Sequence, residues 1–556
     1  MRMTRNRTEE IGSYRKRVQK PFLYLYLASI ILYSPLIILR LTNNMDGMWD
    51  QDDHVTGVAE LRMGRWFWPI LDKLRLNVSL DPLPAVVSLA IFTCGVLFLF
   101  SLMRIRMETK REKISAWVIG MLILASPTVL CQLSYSHMSI NDSASFLLAI
   151  LAVWLLREDE GGWKRILCSG LVTAMMMGGY QASLGITCVT ALFVFIGMLR
   201  RKEKVRRALD FAGRMLLAIL LGAALYEVFL HLGLAVTGQT LSDYNGADAI
   251  TFTGVLGNLP ASLRHTYTAF WFYFGGEGYH FNLLQSHGWF RLLYMVPFGI
   301  VVFCIWKIVR KSGREEEETC EDTKAGEGKR ERFLRTVLML AAFLLVPVFA
   351  NSFFLLAVSA ETMMQMTMGM ALVLPLLFCL LAESGGLCKQ AEEEKKHLKT
   401  GRRGVSAVAG IVFFLLLYGE AGQSVVDQYA MYVGRQATST IAKQVMNQWA
   451  VAGTDYTENV VLVYGAPKQS PLFSVSDLFY RANSYAQYGT WASTPEGNRL
   501  CWFHFFEQQF RVNVNYAEGD TLETIYNSPE VAAMPVYPAP GSTANVWGVT
   551  VVKISE

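Results

Sequence analysis

Apolar runs of about twenty residues, nearly free of charge, recur along the first three quarters of this chain, and they decide its class. A run of that length crosses the hydrocarbon core of a bilayer as a helix, which satisfies its own backbone hydrogen bonds where no water can. The first run lies at 21–41. Ten more are expected near 82–103, 114–131, 141–156, 164–180, 183–199, 208–236, 290–307, 334–350, 364–382 and 405–419. Hydrophobic residues make up 52% of the 556 and charged residues only 17%, which excludes an ordinary soluble enzyme.

The charges that remain are sorted. Residues 1–20 are basic (Arg2, Arg5, Arg7, Arg15, Lys16, Arg17, Lys20) and lead straight into a run too long for a signal peptide, with no small-residue cleavage site. The N-terminus is therefore expected in the cytoplasm, ahead of an uncleaved first helix. Alternate connectors, including RIRMETKREK (104–113), RRKEKVRR (200–207), 307–335 and KKHLKTGRR (395–403), are rich in cations. With the N-terminus, the predicted inner segments hold roughly 36 of the 51 Lys and Arg, the bias of cytoplasmic loops. A net charge of +5 built from such clusters does not point to nucleic acid. Nine cysteines show no metal spacing, and most fall inside apolar runs (Cys94, Cys168, Cys188, Cys304, Cys379), where they read as small buried hydrophobes.

The expected architecture is a polytopic α-helical membrane protein of about eleven transmembrane helices. A transmembrane domain covers 21–419 and carries outer loops at 42–81 and 237–289. Residues 420–556 follow as a small extracytoplasmic α/β domain. Its opening stretch SVVDQYAMYVGRQATSTIAKQVMNQW reads as an amphipathic helix, while NVVLVYGAP (459–467) and VWGVTVVKI (546–554) read as strands. The 164–199 region has room for a re-entrant segment.

Chemistry concentrates in the 42–81 loop, TNNMDGMWDQDDHVTGVAELRMGRWFWPILDKLRLNVSLD. Asp46, Asp50, Asp52 and Asp53 are followed by His54, Glu60, Arg62, Arg65 and the aromatic run Trp66, Phe67, Trp68. Carboxylates and guanidinium groups held against a bilayer suit a charged lipid head group. Transfer of a sugar from a phosphate-linked donor needs a base for the acceptor hydroxyl and cations for the departing phosphate. Asp52 or Asp53 fits the first role. Arg62 and Arg65, one helical turn apart and able to pair with phosphate in a bidentate way, fit the second, with His54 beside them. The plainer alternative is a solvated acidic loop whose arginines rest on lipid phosphates.

Elsewhere, Asp142 opens a predicted span, where it either caps the helix or meets a substrate. Tyr180 and Gln181 either pack at the interface or hydrogen-bond to a sugar. Glu277 and His280 in the second outer loop are candidates for acceptor contact. Glu227 and His231 share a helix face.

Three stretches carry a resemblance: DQDDHVTGVAELRMGRWFWPIL with Asp-Pro-Leu at 81–83, LSYSHMSINDSASFLLAILAVWLL (133–156), and GGYQASLG (178–185). Together they resemble the Gtr-type (type II) bacterial glucosyltransferases of the GT-C superfamily. The resemblance implies a GT-C-like fold and a catalytic acid in the first outer loop, here Asp52 or Asp53, with the choice open. His54 stands where an aromatic is common. It further implies inverting transfer from a polyprenyl-phosphate sugar to a surface glycan acceptor at the bacterial cell membrane, with no cofactor and no metal. The bilayer, the lipid-linked donor and the glycan are the expected partners. A flippase for lipid-linked sugars would place more charge near the bilayer midplane. A surface-polysaccharide polymerase or ligase would share the many-span layout.

Overall fold

The computed structural model describes residues 19–44, 46–48, 54–157, 162–242, 257–275, 291–299, 325–357, 362–387 and 399–556. The chain is a membrane protein of mostly helical structure. Five helical segments are long and apolar enough to cross a bilayer: Leu83–Leu102, Gln181–Arg200, Val205–Thr237, Met364–Ala382 and Gly410–Val451. A sixth arises if Lys110–Leu124 and Pro127–Leu133, bent by 52° at their junction, make one broken span. All coincide with predicted runs. The shorter apolar helix Ser139–Leu155 and the helix Gly162–Gly179 coincide with two more.

The bend falls where Ser126 and Pro127 follow the first half. Proline cannot continue the backbone ladder, and Ser126 starts the second half by accepting from Thr128 N. Three side chains then cover carbonyls at the break. Tyr33 donates to Leu124 O at 2.6 Å, Ser424 to Ala125 O at 2.7 Å, and Tyr485 to Pro127 O at 3.2 Å. The interruption therefore lies in 110–133, whereas 164–199 folds as two full helices joined at Tyr180.

The first helix is also broken. It runs 19–32, turns at Tyr33, and resumes as Ser34–Leu39. Pro35 has no N–H to offer Ile31 O, and the Ser34 hydroxyl takes that carbonyl at 2.8 Å. Leu32 O and Leu36 N are bridged by one carboxamide: Gln428 Nε2 donates to Leu32 O at 3.2 Å, and Leu36 N donates to Gln428 Oε1 at 3.1 Å. Arg435 closes the end of the helix, donating to Leu39 O at 2.7 Å and Arg40 O at 2.8 Å.

Close helix crossings depend on glycine. A Cβ at Gly185 would sit 2.5 Å from Ala350 O, and one at Gly369 would sit 2.4 Å from the same carbonyl. Gly222 lies against Thr173 and Gly170 O in the same manner.

Gln428 and Arg435 belong to Lys399–Val451, a single helix of 53 residues. The last predicted span and the amphipathic helix expected from 424 are thus one element. No proline lies between 399 and 451 to stop it. Its far end enters a second hydrophobic core, separate from that of the membrane helices. Ile441, Val445 and Trp449 pack there with Trp502, Phe505, Phe506 and Ile525. A three-stranded sheet completes this part: β1 (Val461–Tyr464), β2 (Thr543–Val546) and β3 (Val549–Lys553), in the order β1-β3-β2. β1 runs parallel to β3 with Val461 opposite Thr550, and β2 is antiparallel to β3. Trp547 and Gly548 both have positive φ (52° and 91°), as a two-residue hairpin turn with the right twist requires. Both predicted strands are present; the turn takes up the first residues of the 546–554 run.

The expected outer loop 237–289 is described in part. It contains the helix Leu259–Phe274, which exposes Tyr267 and Trp271 and buries Tyr273.

Candidate functional site

The first loop is fastened at its start before any chemistry is placed on it. Asn43 N donates to Ser134 O at 3.1 Å and Asn44 N to Tyr485 O at 2.9 Å. A short 3-10 turn, Asp46–Met48, then presents Asp46, while Met48 Sδ accepts from Tyr488 OH at 2.8 Å in the second core. Gly47 has no room for a side chain: a Cβ there would meet Ser134 O at 2.4 Å.

From His54 onward the loop folds back as two small helices, Val58–Arg62 and Trp68–Leu74. Between them Gly64 adopts φ +86°, a conformation that favours glycine, and turns the chain inward. The aromatic run then seats on the end of the Gly162–Gly179 helix. Phe67 N donates to Gly178 O at 3.1 Å and Trp68 Nε1 to Gly179 O at 2.6 Å. A Cβ at Gly178 would lie 2.5 Å from the Trp66 ring, so GGYQ works as a socket for this segment.

That seating places Arg65. Its guanidinium lies 4.7 Å from the centroid of the Trp68 ring, a cation–π contact. Asp46 and Asp142 both feel its charge. Burial pushes the Asp46 carboxyl above its usual range, and Arg65 pulls it back. Asp142 is buried in the first turn of Ser139–Leu155, whose N-cap is Met138. The capping role open to Asp142 is therefore not the one it has. Among the described residues, neither Asp142 oxygen and neither amide atom of the adjoining Asn141 has a hydrogen-bond partner. Buried polar atoms in that condition are rare and costly, and a bound polar molecule would satisfy them. Tyr135 closes the group. Burial first, then Cys131, Asp46 and Tyr180, push its hydroxyl up, against a side-chain hydrogen bond with Asn43.

Behind this group lies an ionic platform. Arg75 Nη2 pairs with Asp72 Oδ1 at 2.8 Å, and Arg75 Nη1 donates to His137 O at 2.6 Å. Thr56 donates to Asp72 through both its backbone N–H, at 2.9 Å, and its hydroxyl. His54 Nε2 lies 3.8 Å from Asp72 Oδ2, and its ring centroid lies 5.1 Å from that of His137. Ser136 donates to Asp81 Oδ2 at 2.9 Å; burial lifts the Asp81 carboxyl to about 6 against the pull of Ser136 and Arg40.

Several sequence candidates are thus brought together and others are not. Arg65 and Asp46, both half-buried, lie in one group with the buried Asp142 and Tyr180. His54 is buried and turned toward Asp72 and His137. Arg62 and Arg65 do not share a helix face, because the helix ends at Arg62 and Gly64 redirects the chain. Arg62 is exposed and donates to Thr240 O at 3.2 Å. Gln181 directs its amide donors to Met63 O at 2.7 Å and Tyr226 OH at 3.2 Å, which fastens the loop. Glu227 and His231 pair at 3.5 Å on an exposed face. Asp52, Asp53, Glu277 and His280 lie outside the described residues. Tyr135 and the Gly178–Gly179 pair fall within stretches that carry the resemblance, but the sequence alone assigns neither a place in the site. The pairing of WFW with GG was the available signal, since bulky rings need a facing surface without side chains.

A family model described as glucosyl transferase GtrII matches residues 36–433, well over half of the chain. No curated protein and no solved structure matches.

Proposed function

The chain belongs to the glucosyl transferase GtrII family, and from that membership we propose that it moves glucose from a polyprenyl-phosphate carrier to a surface glycan at the outer face of a bacterial cell membrane. Glycosyltransferase activity follows from the family; the donor, acceptor and sidedness are the proposal. The observation that carries it is the half-buried group around Arg65. A cation beside two acids and the unpartnered polar atoms of Asn141 and Asp142 suits a phosphate with a sugar next to it.

In this reading the carrier phosphate meets Arg65; Arg62 stays exposed at the end of its short helix, and His54 supports the site from the buried Asp72 platform. Asp52 or Asp53 removes the proton of the acceptor hydroxyl, which attacks the anomeric carbon as the bond to phosphate breaks. The configuration inverts and the carrier phosphate leaves with the bonding pair. Asp142 and Tyr180 meet the sugar, Gln181 holds the loop that carries Arg65, and the acceptor is assigned to Glu277 and His280. Phosphate is itself an adequate leaving group beside a guanidinium, so the reading requires no metal. Eleven spans with a cytoplasmic N-terminus put residues 420–556 outside, next to the first loop.

Asp52→Asn, Asp53→Asn and the double variant test the assignment with a defined lipid donor in nanodiscs. One of the single variants is expected to lose transfer while insertion and thermal stability persist. Full activity in the double variant rejects the assignment.

A further inference from the structure

The membrane-facing side of the first helix carries a feature that glycosyl transfer does not use. Tyr24, Leu27, Ala28 and Ile31 face Ile114 and Trp117 of the Lys110–Leu124 helix across a groove of about 440 Å³, with Lys110 and Lys113 also in its lining. Leu27, Ile31 and Ile114 are exposed, as side chains that meet acyl chains should be. Lys110 and Lys113 lie one turn apart in the first turn of their helix, so both side chains line the same end of the groove. Neither has an ion-pair partner among the described residues. The nearest acid in sequence, Glu112, is committed to the helix cap, where its Oε2 accepts from Glu108 N and Thr109 N at 3.0 Å each. Glu108 is exposed on the preceding turn.

We propose that this groove is a binding site for an anionic phospholipid, with the head-group phosphate on Lys110 and Lys113 and one acyl chain along Leu27, Ile31, Ile114 and Trp117. Charge and shape both select that occupant. The end of the groove is cationic and its floor is apolar, the two-part chemistry of a phospholipid. A helix from a second copy is a poorer fit, since a cylinder about 10 Å across fills roughly this volume in a single turn. The carrier lipid of the transfer reaction is also a phosphate with an apolar tail. However, Tyr24 and the loop beginning at Thr42 lie at opposite ends of the first helix, about 27 Å apart at 1.5 Å per residue. On the topology proposed above, the lysines belong to the inner leaflet, where long cationic side chains reach anionic head groups.

The test is lipid retention by the full chain, delipidated in neutral detergent and titrated with phosphatidylglycerol, phosphatidylcholine of the same acyl chains, or polyprenyl phosphate. Native mass spectrometry reads the bound fraction. Phosphatidylglycerol is expected to be retained about thirtyfold better than phosphatidylcholine, a factor near five for each lysine. Lys110→Gln with Lys113→Gln should remove that preference without changing the melting temperature in detergent. Ala28→Trp, which fills the groove, should lower retention of both phospholipids. Equal retention of the two phospholipids by the wild type, an unchanged preference in the double lysine variant, or displacement of phosphatidylglycerol by equimolar polyprenyl phosphate each overturns the proposal. Failure of the Asp52 and Asp53 test leaves this one intact.

Discussion

Arg65 and Arg62 differ by three positions and by almost everything that matters to an anion. Arg65 is held over Trp68 and sees Asp46 and Asp142; Arg62 is exposed and spends a donor on Thr240 O. Arg65→Ala is expected to lower turnover with a lipid donor by roughly a hundredfold, the scale of removing one preorganised donor to a developing anion. Arg62→Ala should stay within about twofold. Steady-state kinetics on both variants decides, and a larger loss in Arg62→Ala would contradict the placement. Asp81 offers a test in pH. Its folded carboxyl titrates at about 6, above the usual 3.8, chiefly through burial. Folding therefore favours the protonated acid, and this residue's contribution to stability falls as pH rises from about 4 to 6. Asp81→Asn should melt higher than the wild type at pH 7.5, with the difference shrinking toward pH 4. The two residues were unequally legible. The loop announced its arginines, but their divergence depends on the positive φ of Gly64, which nothing in a 3.6-residue period reveals.

At the scale of elements, hydrophobic periodicity located the helices well and their interruptions poorly. The runs 82–103, 183–199 and 208–236 appear as helices with nearly those ends, because long apolar helices in lipid have no competing structure. The tail strands were readable from their β-branched residues. The fusion of the last span with the tail helix was not, since a drop in hydropathy says where lipid ends and not where a helix does. The break at Pro127 was visible as a proline, but it reads as a tolerated interruption only once Tyr33 and Ser424 are seen to take the freed carbonyls and Tyr485 to reach Pro127 O. Close helix contacts were equally hidden. Gly369→Ala would push a methyl into Ala350 O, and should cost about 1–3 kcal/mol, the usual scale of overpacking. A melt in detergent checks this; no loss would mean that the helices can separate cheaply.

At the scale of the whole molecule, the membrane part and the second core are joined by a buried carboxylate. Asp427 accepts from Gln423 Nε2 at 2.8 Å, Asn483 N at 2.9 Å, Asn483 Nδ2 at 2.8 Å and Tyr485 OH at 2.8 Å. The same Tyr485 reaches Pro127 O, and its own carbonyl takes Asn44 N at the base of the first loop. Asp427→Leu leaves those donors buried without an acceptor and is expected to cost roughly 2–4 kcal/mol. It should also raise protease sensitivity around 479–488, which limited proteolysis with mass mapping detects. An unchanged cleavage pattern would mean that the joint is held by packing alone. Because Met48 is buried with Tyr488, loosening the joint is expected to lower activity as well.

The carboxamide of Gln428 lies between Leu32 O and Leu36 N, nearly four hundred positions downstream of the helix it repairs. During synthesis the first helix must therefore wait in the bilayer with one turn unfinished until roughly four hundred further residues have been made. An open peptide pair in hydrocarbon is costly, so the first helix reaches its final form only when the distant glutamine docks beside it.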